Sequence, residues 1–208
     1  MKIIDIFNDA FKYTNKTFFG DLSNLFILFL YSLFIVPILG HMLKIMRGED
    51  SAPDFDGTLK EIYYGMQIFQ IGLAYSIIPL IIALKTIPPW QRTYGQTIDF
   101  SIPVITFIII SLLFGLLAIP GFVRYAKTQK WGDALRFWLT FDLIRRIGLI
   151  KYFCSMITLE LILIFFMGMS LILILILPII GLLIQCITTT YGLLFVGRLA
   201  YLISREET

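Results

Sequence analysis

Long apolar runs separated by short polar stretches are the dominant pattern of this chain. The runs are too long for the alternating strands of a membrane β-barrel, and a backbone in lipid otherwise satisfies its polar groups within helices. At about 1.5 Å per residue, a helix needs roughly 20 residues to cross the hydrocarbon core of a bilayer. Five segments have about that length, namely residues 25–43, 62–84, 102–123, 150–172 and 176–203. The pattern predicts an all-α, polytopic membrane protein that forms one membrane domain over residues 1–208.

Two further segments mix apolar and charged residues at helical spacing. Within residues 1–19, the apolar side chains of Ile3, Phe7, Ala10 and Phe11 recur at i, i+4, i+7 and i+8, and charged residues occupy other positions. The basic segment 124–149 contains a second pattern of this kind. Such patterns are typical of amphipathic helices that lie in the membrane interface. The sequence therefore predicts two interfacial helices beside the spans.

The first and last spans each leave an alternative open. Pro37 lies inside the first apolar segment, so this segment either spans with a kink or re-enters on the same side. Residues 152–197 form a hairpin of two spans, because their helical length of about 69 Å is roughly twice the hydrocarbon thickness. This hairpin turns either near 168–170 or near 178–181.

Composition and charge agree with a membrane location. The 208 residues are 58% hydrophobic and 15% charged, whereas soluble domains carry about 25% charged residues. Lysine and arginine concentrate in residues 124–151 and near the C-terminus, and such segments lie on the cytoplasmic side. We expect a multi-pass protein of the plasma membrane with a cytoplasmic C-terminus. Anionic lipid headgroups explain the basic segment 124–151 better than nucleic acid does.

Glu160 is the only charged residue between Tyr152 and Gly197. A carboxylate inside a membrane costs on the order of 3 kcal/mol and indicates a functional or paired position. If the hairpin turns at residue 179, its register places Arg198 opposite Glu160. The sequence thus predicts an intramembrane polar cluster in which Glu160 pairs with Arg198 or bonds to Gln185 or Thr188, unless the carboxylate is neutralised by a proton. A proton or substrate site and a contact with a partner subunit are the alternatives.

No catalytic, metal or cofactor motif is recognisable. His41 is the only histidine, and Cys154 and Cys186 are too far apart for a metal-ligand pair. The acidic residues between 49 and 61 do not follow the alternating ligand spacing of an EF-hand. We therefore predict a protein that is not an enzyme and holds no cofactor or metal.

One stretch, GHMLKIMRGEDSAPDFDGTLKEIYYG, combines a basic helix end, a Gly-Glu pair, a Pro-acid-aromatic-Asp element and a glycine in the next span. Together with RYAKTQKWGDALRF and TTYGLLFVGRLAY, it resembles the prokaryotic membrane family called domain of unknown function 4013, over residues 1–203. The resemblance implies a multi-span architecture and assigns no activity. His41 departs from the tyrosine usual in the family, so no role for that hydroxyl is implied. The motif residues are Gly40, Lys44, Arg47, Gly48, Glu49, Pro53, Asp54, Phe55, Asp56 and Gly65.

The leading prediction for function is a non-enzymatic membrane component that is structural, accessory or lipid-interacting. Its expected partners are the bilayer and either another membrane protein or a second copy of the chain. The alternative is a transporter of a small molecule or lipid that uses Glu160, because broken helices and intramembrane carboxylates build transport sites.

Overall fold

The computed structural model describes residues 3–49, 58–86 and 101–205. The described residues form α-helices and no strand. In chain order the helices are α1 (Ile3–Phe19), α2 (Leu22–Phe34), α3 (Val36–Met46), α4 (Thr58–Lys85), α5 (Ser101–Thr128), α6 (Trp131–Ala134), α7 (Phe137–Ile147), α8 (Leu149–Ile176) and α9 (Pro178–Arg205).

Four of these helices, α4, α5, α8 and α9, are long and apolar enough to cross a membrane. Helices α1 and α2 would together form a fifth such segment, but the chain bends by 97° between them. The predicted class of polytopic α-helical membrane protein is therefore confirmed. Helix α3 contacts both α4 and α9, and α5 packs on α4.

The first apolar segment, predicted over residues 25–43 as either a kinked span or a re-entrant segment, is broken at Ile35. Both alternatives stay predictions. The Pro37 ring cannot follow a regular helical turn without meeting the carbonyl four residues earlier. Helix α2 accordingly ends at Phe34, Ile35 adopts φ 51°, and Pro37 takes its place in the first turn of α3. At about 1.5 Å per residue, α2 and α3 measure about 20 and 17 Å. Neither helix crosses the bilayer alone.

Helix α1 packs against the C-terminal half of α9. The rings of Phe7 and Phe195 are 5.8 Å apart, and further along α1 the Tyr191 hydroxyl donates to Asn15 Oδ1 at 2.9 Å. The face of α1 with Ile6 and Ala10 is buried. Because this apolar face packs on protein, it is not the face that meets lipid; the predicted interfacial position of α1 stays a prediction.

The last two spans turn at Leu177, between α8 and α9. This is close to the second of the two predicted turns. At the turn the backbones lie so close that a Cβ on Gly181 would be 2.3 Å from the Ile174 nitrogen. Further along the hairpin, Ser170 hydrogen-bonds to Gln185, which fixes the register of the two helices.

A tyrosine compensates for a proline within α5. Pro120 lies inside this helix without ending it, and proline deprives the carbonyl four residues earlier of its usual donor. That carbonyl belongs to Leu116, and the hydroxyl of Tyr152 on α8 donates to it. Tyr152 is only 1% exposed, so water does not serve as the donor. The bond therefore ties α8 to the helix that Pro120 weakens.

We predict that Tyr152→Phe lowers the free energy of unfolding by about 1–3 kcal/mol, the usual cost of a buried polar group left without a partner. In a Pro120→Ala background the Leu116 carbonyl regains a donor from its own helix, so the same substitution should cost less. Denaturant unfolding of the four proteins in one detergent measures both costs. Equal costs in the two backgrounds would contradict this account.

Candidate functional site

Helices α3 and α4 approach each other through two glycines of the family motif. A Cβ on Gly40 would lie 1.8 Å from the backbone oxygen of Glu61, and a Cβ on Gly65 would lie 1.8 Å from that of Val36. Small residues such as glycine allow the backbones of two membrane helices to approach each other closely. The two backbones are therefore in direct contact at both positions, and no larger residue fits there without movement.

A buried carboxylate lies at this crossing. Glu61 is in the first turn of α4 and is 0% exposed. Its Oε1 accepts a hydrogen bond from Lys44 Nζ at 2.7 Å and lies 3.2 Å from His41 Nδ1. His41 is also fully buried, whereas the Lys44 side chain is 13% exposed. The three side chains form a charge cluster between α3 and α4, which we call the Glu61 cluster.

The local sequence explains how these groups meet. His41 and Lys44 are three residues apart on α3 and so share one helix face. Glu61 follows the start of α4, where the positive end of the helix dipole favours a carboxylate. The Tyr31 hydroxyl from α2 is 2.9 Å from Thr58 Oγ1, one turn before Glu61. The bond between Tyr31 and Thr58 thus brings α2 to the end of the bundle where the cluster joins α3 to α4.

Two atoms of the Glu61 cluster are buried without a hydrogen-bond partner among the described residues. They are Oε2 of Glu61 and Nε2 of His41. The other carboxylate oxygen of Glu61, Oε1, accepts a hydrogen bond from Lys44. The cluster therefore resembles a buried ion pair. No hydroxyl or thiol nucleophile is hydrogen-bonded to His41 in the described part of the chain. This arrangement can join α3 to α4, and it keeps the charged carboxylate of Glu61 away from lipid.

Arg47 and Gly48 extend the polar contacts at the end of α3. Arg47 Nε donates to the Ala126 carbonyl of α5 at 3.2 Å, and its guanidinium lies 4.3 Å from the Tyr64 ring centre. Gly48 has φ 81°, which glycine adopts without strain. The Gly48 and Glu49 amides bond back to Ile45 and Lys44, in the pattern of a Schellman cap. A Cβ on Gly48 would also meet the Tyr201 ring at 2.6 Å.

The predicted pair of Glu160 and Arg198 is wrong. Arg198 instead binds Asp9 of α1, with Nη2 and Oδ2 3.2 Å apart, and lies over the Tyr13 ring. The turn at Leu177 and the bond between Ser170 and Gln185 set Glu160 level with Phe195, about one turn short of Arg198. The Glu160 carboxylate and the Arg198 guanidinium therefore do not form an ion pair.

Glu160 faces α5 instead of α9. A Cβ on Gly115 would lie 3.3 Å from Glu160 Oε1, and the carboxylate makes no hydrogen bond or ion pair with a described residue. Gln185 bonds to Ser170 and to Thr189 at 3.4 Å, and Thr188 lines a groove beside α1. The four residues Glu160, Arg198, Gln185 and Thr188 therefore have different neighbours and do not form the predicted cluster.

The remaining motif residues divide into two groups. Glu49 is exposed at the end of α3. Pro53, Asp54, Phe55 and Asp56 lie outside the described residues. In the ranges 3–49, 58–86 and 101–205, no group of three His, Cys, Asp or Glu side chains is placed to hold a metal ion.

The Glu61 cluster was not predicted from the sequence. Along the chain, Glu61 is one of several acids near the start of a span, and His41 is the only histidine. A usable signal was present, since His41 and Lys44 share a face of α3 and Glu61 begins the next helix. Opposite charges at the joined ends of consecutive apolar helices are close in space if the helices form a hairpin.

Four long apolar helices, closed at one end by polar contacts between helices, define a polytopic α-helical integral membrane protein. Residues 24–177 match the family described as "Protein of unknown function (DUF4013)". The match covers well over half of the chain, which therefore belongs to that family. It excludes α1 and the later block TTYGLLFVGRLAY. No curated protein and no solved structure matches the chain.

We predict that Gly65→Ala destabilises the bundle by about 1–3 kcal/mol, as an added carbon does in a tightly packed site. Gly168→Ala is the matched control, because a Cβ there meets no atom within 4 Å. Helix propensity favours alanine over glycine by up to about 1 kcal/mol, so the control should be neutral or stabilising. Unfolding curves in detergent give both values, and an unaffected Gly65→Ala protein would rule out the close backbone contact.

Proposed function

We propose that this protein is a non-enzymatic, lipid-interacting component of the plasma membrane that binds anionic headgroups on its cytoplasmic face. The observation that supports the proposal is the outer face of α7. Trp138 is 87% exposed and Phe141 is 50% exposed, and Arg145 and Arg146 are exposed beside them. Aromatic rings beside arginines are suited to the boundary between headgroups and acyl chains.

The packing of α7 keeps this face turned outward. Thr140, Leu143 and Ile144 are buried on the opposite side, and Arg124 of α5 donates to the Leu139 carbonyl at 3.2 Å. Helix α7 ends at Ile147, and Gly148 alone separates it from the candidate span α8. A helix held on the bundle immediately before a span is well placed for the interface.

Charge supports the same assignment. Residues 124–151 contain seven basic and two acidic residues. Basic residues beside a cytoplasmic surface attract anionic lipids by about 1 kcal/mol each. The positive-inside rule favours a cytoplasmic position for this segment and for the C-terminus. An accessory role beside another membrane protein is compatible with lipid binding, and a stoichiometric protein recovered with the chain from its host would support it.

Replacement of both arginines tests the proposal. In nanodiscs of mixed phosphatidylglycerol and phosphatidylcholine, we expect Arg145→Gln with Arg146→Gln to weaken retention of phosphatidylglycerol, by about 1 kcal/mol for each arginine. Native mass spectrometry of released protein counts the retained lipids. Lys60→Gln with Lys85→Gln is the control, because it removes the same charge from exposed positions on α4. An equal loss in the control, or no loss in the arginine variant, would contradict the proposal.

Transport through Glu160 is the second candidate. The observation in its favour is a carboxylate within a candidate span that contacts α5 at Gly115 and has no ion-pair partner among the described residues. Such a group can take up and release a proton. The packing of Glu160 against Gly115 would position that proton between α5 and α8.

Proton flux into liposomes tests this second candidate. Under a potassium gradient with valinomycin, a pH-sensitive dye in the lumen reports protons that the reconstituted protein admits. We expect Glu160→Gln to abolish the flux and to leave the unfolding curve intact, whereas Glu49→Gln, an exposed control, should change neither. Wild-type protein that admits no protons, or an unchanged flux in Glu160→Gln, would eliminate proton transport through this residue.

A further inference from the structure

We propose that the groove between α1, α8 and α9 binds an acyl chain of one anionic phospholipid, whose headgroup contacts Lys12 and Lys16. The inference rests on the proposed role in lipid interaction and assigns a specific site to it. This site is separate from the outer face of α7.

The groove has the size and lining of a site for an apolar ligand. Its volume is about 560 Å³, within the ~300–1,000 Å³ of typical ligand pockets. Aromatic rings from all three helices form its walls, among them Phe11, Phe166 and Phe195. Polar side chains are few, namely Asn8 and Asn15 of α1 and Thr188 and Tyr191 of α9, and the Tyr191 hydroxyl is bonded to Asn15. The lining therefore suits a hydrocarbon chain with a polar group at one side.

The depth of the groove agrees with a lipid chain. Arg198 ends the uncharged part of α9 and marks the polar boundary. The wall residues on α9 lie between Ile187 and Phe195, roughly 5–17 Å below Arg198 at 1.5 Å per residue. This is the depth at which acyl chains begin beneath the headgroups. The groove therefore lies in the bilayer leaflet next to Arg198.

Charge complementarity identifies the headgroup as anionic. Lys12 lies one turn from Asn8 and Lys16 one turn from Phe19, both residues of the groove wall, so both lysines are beside the rim of the groove on α1. Both are exposed. The neighbouring carboxylate of Asp9 is bound to Arg198. Lysine side chains can reach upward to phosphate while their methylene groups stay in the apolar layer.

A second copy of the chain suits this groove less well. The exposed surface of α8 that could enter it carries apolar side chains such as Ile164, Phe165 and Ile172. Glu160 is the only acidic residue on α8, and it faces α5. Such a surface offers no charge to the two lysines, whereas a phosphodiester does.

Photolabelling tests the proposal on the full chain. The protein is placed in phosphatidylcholine nanodiscs with trace phosphatidylglycerol that carries a diazirine in its acyl chain, and labelled peptides are identified after irradiation. We expect the labels to concentrate on groove residues of α1, α8 and α9. Unlabelled phosphatidylglycerol should compete several-fold better than phosphatidylcholine. Labels spread evenly over all lipid-facing helices, or a groove that stays unlabelled because a second copy of the chain covers it, would overturn the proposal.

Two variants separate chain binding from headgroup binding. Thr188→Phe places a ring in the groove and should reduce groove labelling several-fold, whereas Leu182→Phe adds the same ring at an exposed position of α9 and should not. Lys12→Gln with Lys16→Gln should retain labelling but lose the preference for phosphatidylglycerol. Unchanged labelling in Thr188→Phe, or an unchanged preference in the lysine variant, would contradict the proposal.

The same labelling experiment distinguishes this inference from the proposed function. If groove labelling fails while the peptide 137–147 still labels selectively with phosphatidylglycerol, only the groove site is lost. If the preference for phosphatidylglycerol disappears at both places in the wild-type protein, the proposed function fails as well. Unfolding curves of all variants confirm that each one is folded before it is labelled.

Discussion

The buried carboxylate of Glu61 is the constraint on which the rest of the bundle depends. Even after relaxation, removing an ionised group from water costs several kcal/mol, so Glu61 has to be accompanied by Lys44 and His41. Those two residues belong to α3, and the requirement therefore fixes how α3 lies against α4. Gly40 and Gly65 then allow the two backbones to approach closely enough for the ion pair to form at 2.7 Å.

The other polar contacts extend outward from this crossing. Arg47 continues from α3 to the Ala126 carbonyl of α5, and Lys127 of α5 reaches the Ser204 carbonyl of α9 at 3.1 Å. Polar bonds thus close one end of the bundle, and apolar packing fills the rest. The C-terminal half of α8, next to the turn at Leu177, packs mainly on α9 and exposes most of its side chains. The bundle thus has one end closed by polar contacts and a membrane-spanning part with apolar outer surfaces. The groove lies where α1 meets the hairpin of α8 and α9.

Length and hydropathy alone predicted the four long helices, because a bilayer imposes both on any span. Pro37 indicated a kink or a re-entrant turn in the first segment, and the chain breaks two residues before it, at Ile35. A proline alone does not specify such a break, because Pro120 interrupts no helix and Tyr152 of another helix supplies the missing hydrogen bond there. The pairing of Glu160 with Arg198 failed for a related reason. It required the hairpin register to within a few residues, and the register depends on tertiary bonds such as that between Ser170 and Gln185. The Glu61 cluster was missed because its members come from two helices whose crossing the sequence does not specify.

A double-mutant cycle on Lys44 and Glu61 tests the central claim most directly. Lys44→Met, Glu61→Gln and the double variant are unfolded in one detergent, and the free energies are compared with the wild type. If the ion pair fixes α3 on α4, Glu61→Gln should cost about 3–5 kcal/mol, as breaking a buried pair does. The double variant should then be less destabilised than the sum of the single variants, with a coupling of about 2 kcal/mol. Costs that add to within about 0.5 kcal/mol would show two independent residues and would contradict the account.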